Sequence, residues 1–326
     1  MNESFGKENL HGMGQATDGN DVVHTAAKIP NYAARLSSSP HSINVHGIKL
    51  ASVDSVVPIR NGSAVSNVPV TPKTAPCQVC GHTAVLLDTV DLNKSCEELR
   101  GVKLSPSGML IDYFLCDHCG FCFAPEMQAW GFDEFEKRIY NQEYGMVDPD
   151  YKFFRPDSNA KLLNKTFGFC KEKIRHLDYG GGSGLLSKTL RENGWTSETF
   201  DPFVDREKLI DDLGQFDFIT AFEVFEHVPD VGALVDNLKK LCKPEGVILF
   251  STILSDGNIF RSQKLTWWYA SPRNGHISIF SRKSLEQTLV GHGLQYGALN
   301  GSIHVAYTQL PEWFDRAFQS NQGQTE

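Results

Sequence analysis

The stretch Asp178-Tyr179-Gly180-Gly181-Gly182-Ser183-Gly184 joins an apolar segment, residues 174–179, to a segment with helical periodicity, residues 185–193. The first segment predicts a buried strand, and the second predicts a helix that ends at Gly194. The glycines can adopt positive φ angles, and they lack the Cβ atoms that would keep a ligand away from the backbone. In an open parallel sheet, ligands bind beyond the carboxyl ends of the strands, where this turn lies. The stretch therefore predicts a ligand-binding turn in an α/β fold.

Strands and helices continue to alternate after this turn. One strand is predicted to end near Asp201, two more span residues 216–222 and 247–252, and helices span residues 231–242 and 284–290. This alternation is typical of a mostly parallel sheet with helices on both faces. We therefore expect a single α/β domain over the second half of the chain.

A carboxylate follows the second predicted strand. Asp201 stands where a carboxylate can accept hydrogen bonds from both hydroxyls of a ribose, although an Asp before Pro202 can also simply begin a turn. The glycine spacing is Gly-x-Gly-x-Gly, because Leu185 occupies the position where a dinucleotide fingerprint requires its third glycine. The turn therefore favours a cofactor without a pyrophosphate and disfavours NAD.

Three segments resemble motifs of the class I S-adenosylmethionine-dependent methyltransferases. Residues 176–184 resemble the first motif of that family, residues 216–230 its fourth strand with the following turn, and residues 241–246 the approach to its fifth strand. The resemblance implies a Rossmann-like, mostly parallel, seven-stranded sheet with helices on both faces. It also implies S-adenosyl-L-methionine as the methyl donor and a small molecule as the methyl acceptor.

The same resemblance implies which residues bind the cofactor. They are the glycines of the turn and the polar or aromatic residues at three strand ends: Asp178, Gly180, Gly182, Gly184, Asp201 and Phe222. The family usually has a helix and a third strand where this chain has only residues 202–215. The acidic residue that contacts the adenine, Asp211 or Asp212, therefore stays an open assignment.

Methyl transfer is an in-line displacement, so the protein must align the nucleophile and remove its proton. Histidine titrates near neutrality, which makes His227 and His276 candidate general bases. Either histidine could instead be a structural residue at the end of an element. Glu223 is a third candidate, as a base or as a cofactor contact. Residues 267–269, two tryptophans and a tyrosine, either wall the acceptor site or belong to the core.

Two Cys-x-x-Cys pairs, each followed by glycine, precede this domain: Cys77, Cys80, Cys116 and Cys119. Each pair can offer two thiolates to one metal, and Zn²⁺ is the natural occupant of a tetrahedral sulfur site. With four thiolates the metal has no open position, so the zinc is expected to be structural. A redox dithiol or free thiols are the alternatives. Cys122, His82 and His118 are also close in sequence, and we interpret them as surrounding structure.

A zinc-binding module ahead of a methyltransferase domain resembles bacterial deoxysugar C-methyltransferases and related glycan-cluster enzymes, as do residues 140–144 and 148–151. That resemblance implies C- or O-methylation of a nucleotide sugar or glycan precursor. The alternatives are an RNA methyltransferase with a zinc module and a non-catalytic methyltransferase-fold binding module. A net charge of −8 and an acidic segment over residues 77–122 disfavour nucleic acid. Cofactor binding would distinguish an enzyme from a binding module.

The composition predicts a cytoplasmic protein with five segments. No stretch approaches the ~18 apolar residues of a membrane span, and the first residues lack the pattern of an export signal. We expect a disordered leader (1–75), a zinc-ribbon-like module (76–125), an aromatic helical connector (126–170), the methyltransferase domain (171–310) and a tail (311–326). The oligomeric state is left open.

Overall fold

The structure, a computed structural model, describes residues 72–319. Most of the expected leader and the last residues of the expected tail lie outside this range. In chain order the strands are β1 (Thr74–Pro76), β2 (Thr83–Asp91), β3 (Leu110–Leu115), β4 (Cys122–Phe123), β5 (Arg175–Tyr179), β6 (Thr196–Phe200), β7 (Phe216–Phe222), β8 (Cys242–Ser251), β9 (Ser278–Ile279), β10 (Gln295–Ala298) and β11 (Ile303–Tyr307). The helices are α1 (Pro125–Gln128), α2 (Phe132–Arg138), α3 (Tyr144–Val147), α4 (Phe154–Phe167), α5 (Leu185–Glu192), α6 (Val231–Leu241), α7 (Arg282–Gly291) and α8 (Glu312–Gln319).

The larger sheet has the strand order β10-β11-β8-β7-β5-β6. Strands β6, β5, β7 and β8 run parallel, whereas β11 and β10 are antiparallel additions at one edge. Alternate residues point to opposite faces, so Ile219 packs with Leu234 and Leu285 of α6 and α7, while Phe218 packs with α4, α5 and α8. The predicted α/β class, with a mostly parallel sheet between helices, is confirmed.

The number of strands differs from the expectation. The larger sheet has six strands within residues 72–319, not the seven that the resemblance implied. The chain from β6 to β7 contains turns and one 3₁₀ turn, Ile210–Asp212, and no strand. That segment is too short to hold a crossover helix and a further strand, which together need at least about a dozen residues beyond their loops. The shortened segment noted in the sequence is therefore the reason for the missing strand.

The smaller sheet joins the first four strands of the described chain to a short strand from the larger domain. Its order is β1-β2-β3-β4-β9, antiparallel throughout. The first four strands flank the cysteine pairs, whereas β9 comes from the α/β half and pairs Ile279 with Cys122 and Ser278 with Phe123. Phe121 and Phe123 pack in the same core as Phe225 and Phe280. The cysteine module is therefore built into the side of the larger domain.

Structured elements lie within both of the expected terminal segments. Strand β1 begins at Thr74, within the expected leader, and α8 occupies much of the expected tail. Phe314 of α8 stacks on Phe167 of α4 at a centroid distance of 5.4 Å, so α8 belongs to the helical layer of the sheet. None of the helices within residues 72–319 combines the length and apolar character needed to cross a membrane.

Candidate active site

The glycine turn lies between β5 and α5, as predicted. Gly180, Gly182 and Gly184 have φ angles of +72°, +53° and +74°, which side chains with a Cβ rarely adopt. The Gly180 N–H donates to the Phe200 carbonyl at 2.7 Å, which ties the turn to the end of β6. The turn, residues 180–184, thus lies at the carboxyl edge of the parallel strands.

Gly181 is the most crowded glycine of the turn, and the spacing argument passed over it. Its φ is not positive, but a Cβ there would lie 2.3 Å from Thr199 Oγ1 and 2.4 Å from Asp178 Oδ2. By contrast, a Cβ on Gly182 would meet no atom within 4 Å. Sequence spacing marks positions of unusual backbone conformation, whereas the crowding at Gly181 depends on the neighbouring strand.

Asp201 follows β6 and lies against the glycine turn. Its Oδ2 accepts from the Gly182 N–H at 2.9 Å, and its Oδ1 accepts from the Phe203 N–H at 2.8 Å. Asp201 thus begins a turn at the carboxyl edge of the parallel strands, and its contact with a ribose stays a prediction. Two carboxylate oxygens offer about four acceptor sites, which leaves capacity for two ribose hydroxyls.

Asp178 lies beneath the turn and is almost fully buried. Its Oδ1 accepts from the Thr220 hydroxyl at 2.8 Å. Burial raises the pKa of Asp178 to about 7. Because Asp178 Oδ2 occupies the space beside Gly181, this carboxyl supports the turn from the side opposite solvent. A direct contact of Asp178 with a cofactor stays a prediction.

Phe222 and Glu223 stand at the carboxyl end of β7, one strand away from the turn. Glu223 has φ +55°, a strained conformation for a residue with a Cβ. Ser251 holds it twice: the Glu223 N–H donates to Ser251 Oγ at 2.8 Å, and the serine hydroxyl donates to Glu223 Oε1 at 3.0 Å. Non-glycine residues with such angles persist where surrounding contacts fix them, often at functional sites.

Arg155 is a site residue that the sequence did not single out. Its guanidinium donates to Glu223 Oε2 at 3.2 Å and also pairs with Asp148. Burial raises the pKa of Glu223, and Arg155 opposes that effect. The connector therefore supplies a positive charge to the end of β7. No motif marks Arg155, because its contact with Glu223 spans 68 positions of the chain.

His227 and His276 face each other, with ring centroids 4.9 Å apart. His276 Nδ1 lies 2.7 Å from the Tyr269 carbonyl, and His227 Nδ1 lies 3.2 Å from the Gly275 carbonyl. A carbonyl oxygen only accepts, so each Nδ1 carries the proton and each Nε2 keeps its lone pair. The sequence predicted these two histidines independently, and the structure brings them together.

The protein environment keeps both imidazoles neutral. Burial lowers the pKa of His227 to about 4, with a further contribution from Arg155. Burial, followed by the neighbouring His227, moves the pKa of His276 well below its usual range. Each ring is therefore in the neutral form, whose free Nε2 lone pair is what a general base requires.

Glu226 completes the histidine cluster, which we define as Glu226, His227 and His276. One ligand atom from each of the three lies within 4.8 Å of the others. Glu226 is fully buried, and the Tyr269 hydroxyl donates to its Oε1 at 2.7 Å. Its Oε2 is buried without a hydrogen-bond partner in the described chain. Burial, and then the nearby Glu223, raise the pKa of Glu226 to about 8. Tyr269 is therefore a core residue that contacts the cluster.

The four cysteines of the two pairs converge at one point. Sγ–Sγ distances are 3.6 Å for Cys77–Cys119 and 3.5 Å for Cys80–Cys116, and all four sulfurs lie within 4.8 Å of one another. A tetrahedron with zinc–sulfur bonds of about 2.3 Å has edges of about 3.8 Å, so the cluster fits such an ion. Cys122 lies outside this cluster, in β4. The rings of His82 and His118 stack on each other near Cys80, with their centroids 3.7 Å apart.

Comparisons with known proteins agree with the domain but cover only part of the chain. Residues 151–298 match the family model described as a methyltransferase domain. Ubiquinone biosynthesis O-methyltransferase from Rhodopseudomonas palustris is 32% identical over 118 residues, which cover 30% of this chain and 45% of the relative. The Actinobacillus pleuropneumoniae (serotype 7) protein of the same name is 35% identical over 119 residues, or 28% and 50% of the two chains. The chain thus spans about half the length of these curated relatives.

Solved structures are similar at lower identity. A Burkholderia thailandensis 1,6-didemethyltoxoflavin-N1-methyltransferase, with S-adenosylhomocysteine bound, is 16% identical with a TM-score of 0.40 over 58% of this chain and 96% of its own. The magnesium protoporphyrin IX methyltransferase of Synechocystis, also with S-adenosylhomocysteine, is 14% identical with a TM-score of 0.34 over 55% and 94%. The family match agrees with the prediction made from the three motifs, and it covers residues 151–298 of this chain.

Proposed function

We propose that this protein transfers the methyl group of S-adenosyl-L-methionine to a small-molecule acceptor. The observation that carries the proposal is the contact between Asp201 and the glycine turn at the carboxyl edge of the parallel strands. In this arrangement the turn backbone receives the methionine part of the cofactor, and Asp201 accepts from its ribose hydroxyls. Phe222 and Glu223 lie at the next strand end, beside the reacting groups.

The chemistry divides among a few residues of the chain. The cofactor supplies a methyl group that its sulfonium already activates. The Nε2 atom of His276 or His227 accepts the acceptor's proton, because both rings are neutral and have their Nδ1 protons engaged. Glu223 is less suited to that role, because Ser251 and Arg155 each occupy one of its oxygens. Its negative charge fits an electrostatic contact with the cationic cofactor.

We propose first the atom that is methylated and then the class of acceptor molecule. The names of the Rhodopseudomonas and Actinobacillus relatives support methylation at oxygen, and a neutral imidazole base suits a hydroxyl acceptor. Within that class, the resemblance of residues 140–144 to deoxysugar enzymes supports a nucleotide sugar or glycan precursor. A screen of phenols and nucleotide sugars with labelled S-adenosyl-L-methionine, followed by NMR of the product, would identify the acceptor and the methylated atom.

Cofactor binding tests the core of the proposal. We expect S-adenosylhomocysteine to bind the wild type in calorimetry, and Asp201→Asn to weaken binding about 10- to 100-fold through lost charge-assisted hydrogen bonds. Glu245→Gln is the matched control, because Glu245 is an exposed acid on β8 outside the site. Absence of binding to the wild type would favour a non-catalytic binding module and overturn the proposal.

We also propose that the four-cysteine cluster holds a structural zinc ion. The ion would clamp the turns that carry Cys77 and Cys119, and the reduced thiols that it needs fit the expected cytoplasmic location. Metal analysis is expected to find about one zinc per chain, which Cys119→Ser loses and Cys170→Ser keeps, since Cys170 lies in a separate core. Wild-type protein purified without zinc, yet as stable as the metal-loaded form, would contradict this assignment.

A further inference from the structure

The cysteine module reaches the histidine cluster through a buried tyrosine. Tyr113 lies on β3, between the two cysteine pairs, and its side chain is fully buried. Its hydroxyl donates to the main-chain carbonyl of His276 at 2.7 Å. The bond joins β3, the strand directly before Cys116 and Cys119, to the residue whose Nε2 is a candidate base.

The segment between the cysteine pairs also forms hydrogen bonds with residues 267–274, the loop that leads to His276. The Lys94 ammonium donates to the Trp267 carbonyl at 2.7 Å, at the start of this loop. Farther along, the Lys94 carbonyl accepts from the Arg273 N–H at 3.1 Å. The Cys96 N–H donates to Asn274 Oδ1 at 2.9 Å. Lys94 and Cys96 therefore fix both ends of the loop formed by residues 267–274.

The residue after His276 is fixed by the same module. The Ala124 N–H, directly after β4, donates to the Ile277 carbonyl at 3.0 Å. The Ile277 N–H in turn donates to the Glu226 carbonyl at 2.8 Å. His276 thus lies between the loop of residues 267–274 and strand β9. The Tyr113 hydroxyl fixes the carbonyl of His276 itself. The main chain on both sides of the imidazole is therefore set by β3, β4 and the segment between the cysteine pairs.

We propose that Tyr113 is a positioning residue: it sets the orientation of His276, so that the cysteine module shapes the catalytic side of the methyltransferase site. The inference rests on the proposed function for the role of His276, but the orientation itself does not depend on cofactor binding. A displacement of about 1 Å between reacting groups can cost about 100-fold in rate, so control of this one carbonyl bears directly on the chemistry.

Tyr113→Phe tests the proposal, because it removes the hydroxyl and keeps the buried ring. The readout is NMR of protein with ¹⁵N-labelled histidine, in which His276→Asn identifies the His276 imidazole signals. In the wild type we expect the Nδ1-protonated tautomer. Tyr113→Phe is expected to shift the His276 signals and to leave the affinity for S-adenosylhomocysteine within about 2-fold, since the cofactor edge lies elsewhere.

Tyr296→Phe is the matched control, because the Tyr296 hydroxyl also bonds a histidine, His304, on the far edge of the large sheet at 3.1 Å. It should leave the His276 signals unchanged. If Tyr113→Phe folds poorly, Lys94→Met loosens the same loop at its other end and should shift the same signals. His276 signals in these variants that match the wild type would overturn the proposal. Failure of the wild type to bind S-adenosylhomocysteine would overturn only the proposed function, so the two failures are distinguishable.

Discussion

The two sides of the site are built in different ways. The cofactor edge is made mostly of backbone: three positive-φ glycines and one carboxylate, all within residues 180–201. The histidine cluster is made of side chains from two distant parts of the chain, with His227 bonded to Gly275 across 48 positions. A binding edge made of backbone keeps its geometry when most neighbouring side chains change. The geometry of a side-chain cluster depends on every element that positions its members.

The two sides also differ in charge. At the cofactor edge, the Asp201 carboxylate accepts from two backbone N–H groups and has acceptor capacity to spare. In the histidine cluster, burial favours the uncharged forms of His227, His276 and Glu226. In the proposed function, the first side binds the cofactor through fixed polar groups, and the second supplies the proton acceptor. The comparison separates binding from chemistry, and substitutions on one side should leave the other unaffected.

The largest expected effect comes from the histidines. At least one of His276→Asn and His227→Asn should lower turnover about 100-fold, because a general base typically contributes that much or more. The affinity for S-adenosylhomocysteine should stay unchanged in both variants. Burial lowers the pKa of both histidines, to about 4 for His227, so protonation of that ring should remove its lone pair and lower the rate only as the pH approaches 4.

Transfer of labelled methyl to the acceptor found by screening measures this effect, with His292→Asn as the control on the surface pair with Asp236. Near-normal turnover in both cluster variants would remove the histidines from the mechanism. A loss of cofactor affinity equal to the loss of turnover would instead show that the two sides of the site are not separate.

Much of the first side could be predicted from sequence, for a physical reason. A turn at a strand end is a local property, so the spacing of glycines and the position of Asp201 in the sequence locate the edge. Crowding is not local, and Gly181 was therefore missed: the atoms that exclude a Cβ there belong to Asp178 and to Thr199 on β6. The count of sheet strands was wrong for a related reason, because a family average was applied to a shortened segment.

The sequence pointed to the two histidines of the second side, but not to Glu226 or to the geometry of the cluster. His227 and His276 stood out because histidine suits proton transfer, but nothing in the sequence indicated that their rings meet. Arg155 and Tyr113 carry no motif, since their roles come from contacts with Glu223 and with His276. Tertiary packing brings these residues together, so their contacts cannot be predicted from local sequence patterns alone.

An intermediate effect is expected at Gly181. Gly181→Ala places a methyl group against Asp178 and Thr199, so the turn must shift, and the affinity for S-adenosylhomocysteine should fall about 10-fold. Gly182→Ala should cost less, because its Cβ meets open space and only the strain of a positive φ, about 1 kcal/mol, remains. Gly291→Ala, with open space on α7, is the control in the same calorimetric experiment. Altered His276 signals in Gly181→Ala would show that the two sides are coupled.

The smallest expected effect concerns the buried carboxyl of the histidine cluster. The pKa of Glu226 is about 8 in the folded protein and about 4.5 as a free side chain, so the folded state binds the proton more tightly than the unfolded state. Stability from this group is fully present below about pH 4.5 and is lost as the pH rises through about 8. Glu226→Gln resembles the protonated carboxyl and should escape that loss.

Thermal unfolding between pH 6 and 9 measures the difference. The melting temperature of Glu226→Gln relative to the wild type should rise with pH, by about 5 °C over this range. Glu245→Gln, on the exposed end of β8, should instead follow the wild type at every pH. Parallel curves for the wild type and Glu226→Gln would mean that Glu226 is ionised in the folded state. The histidine cluster would then hold a buried negative charge beside two imidazoles, and the contrast in charge between the two sides of the site would no longer hold.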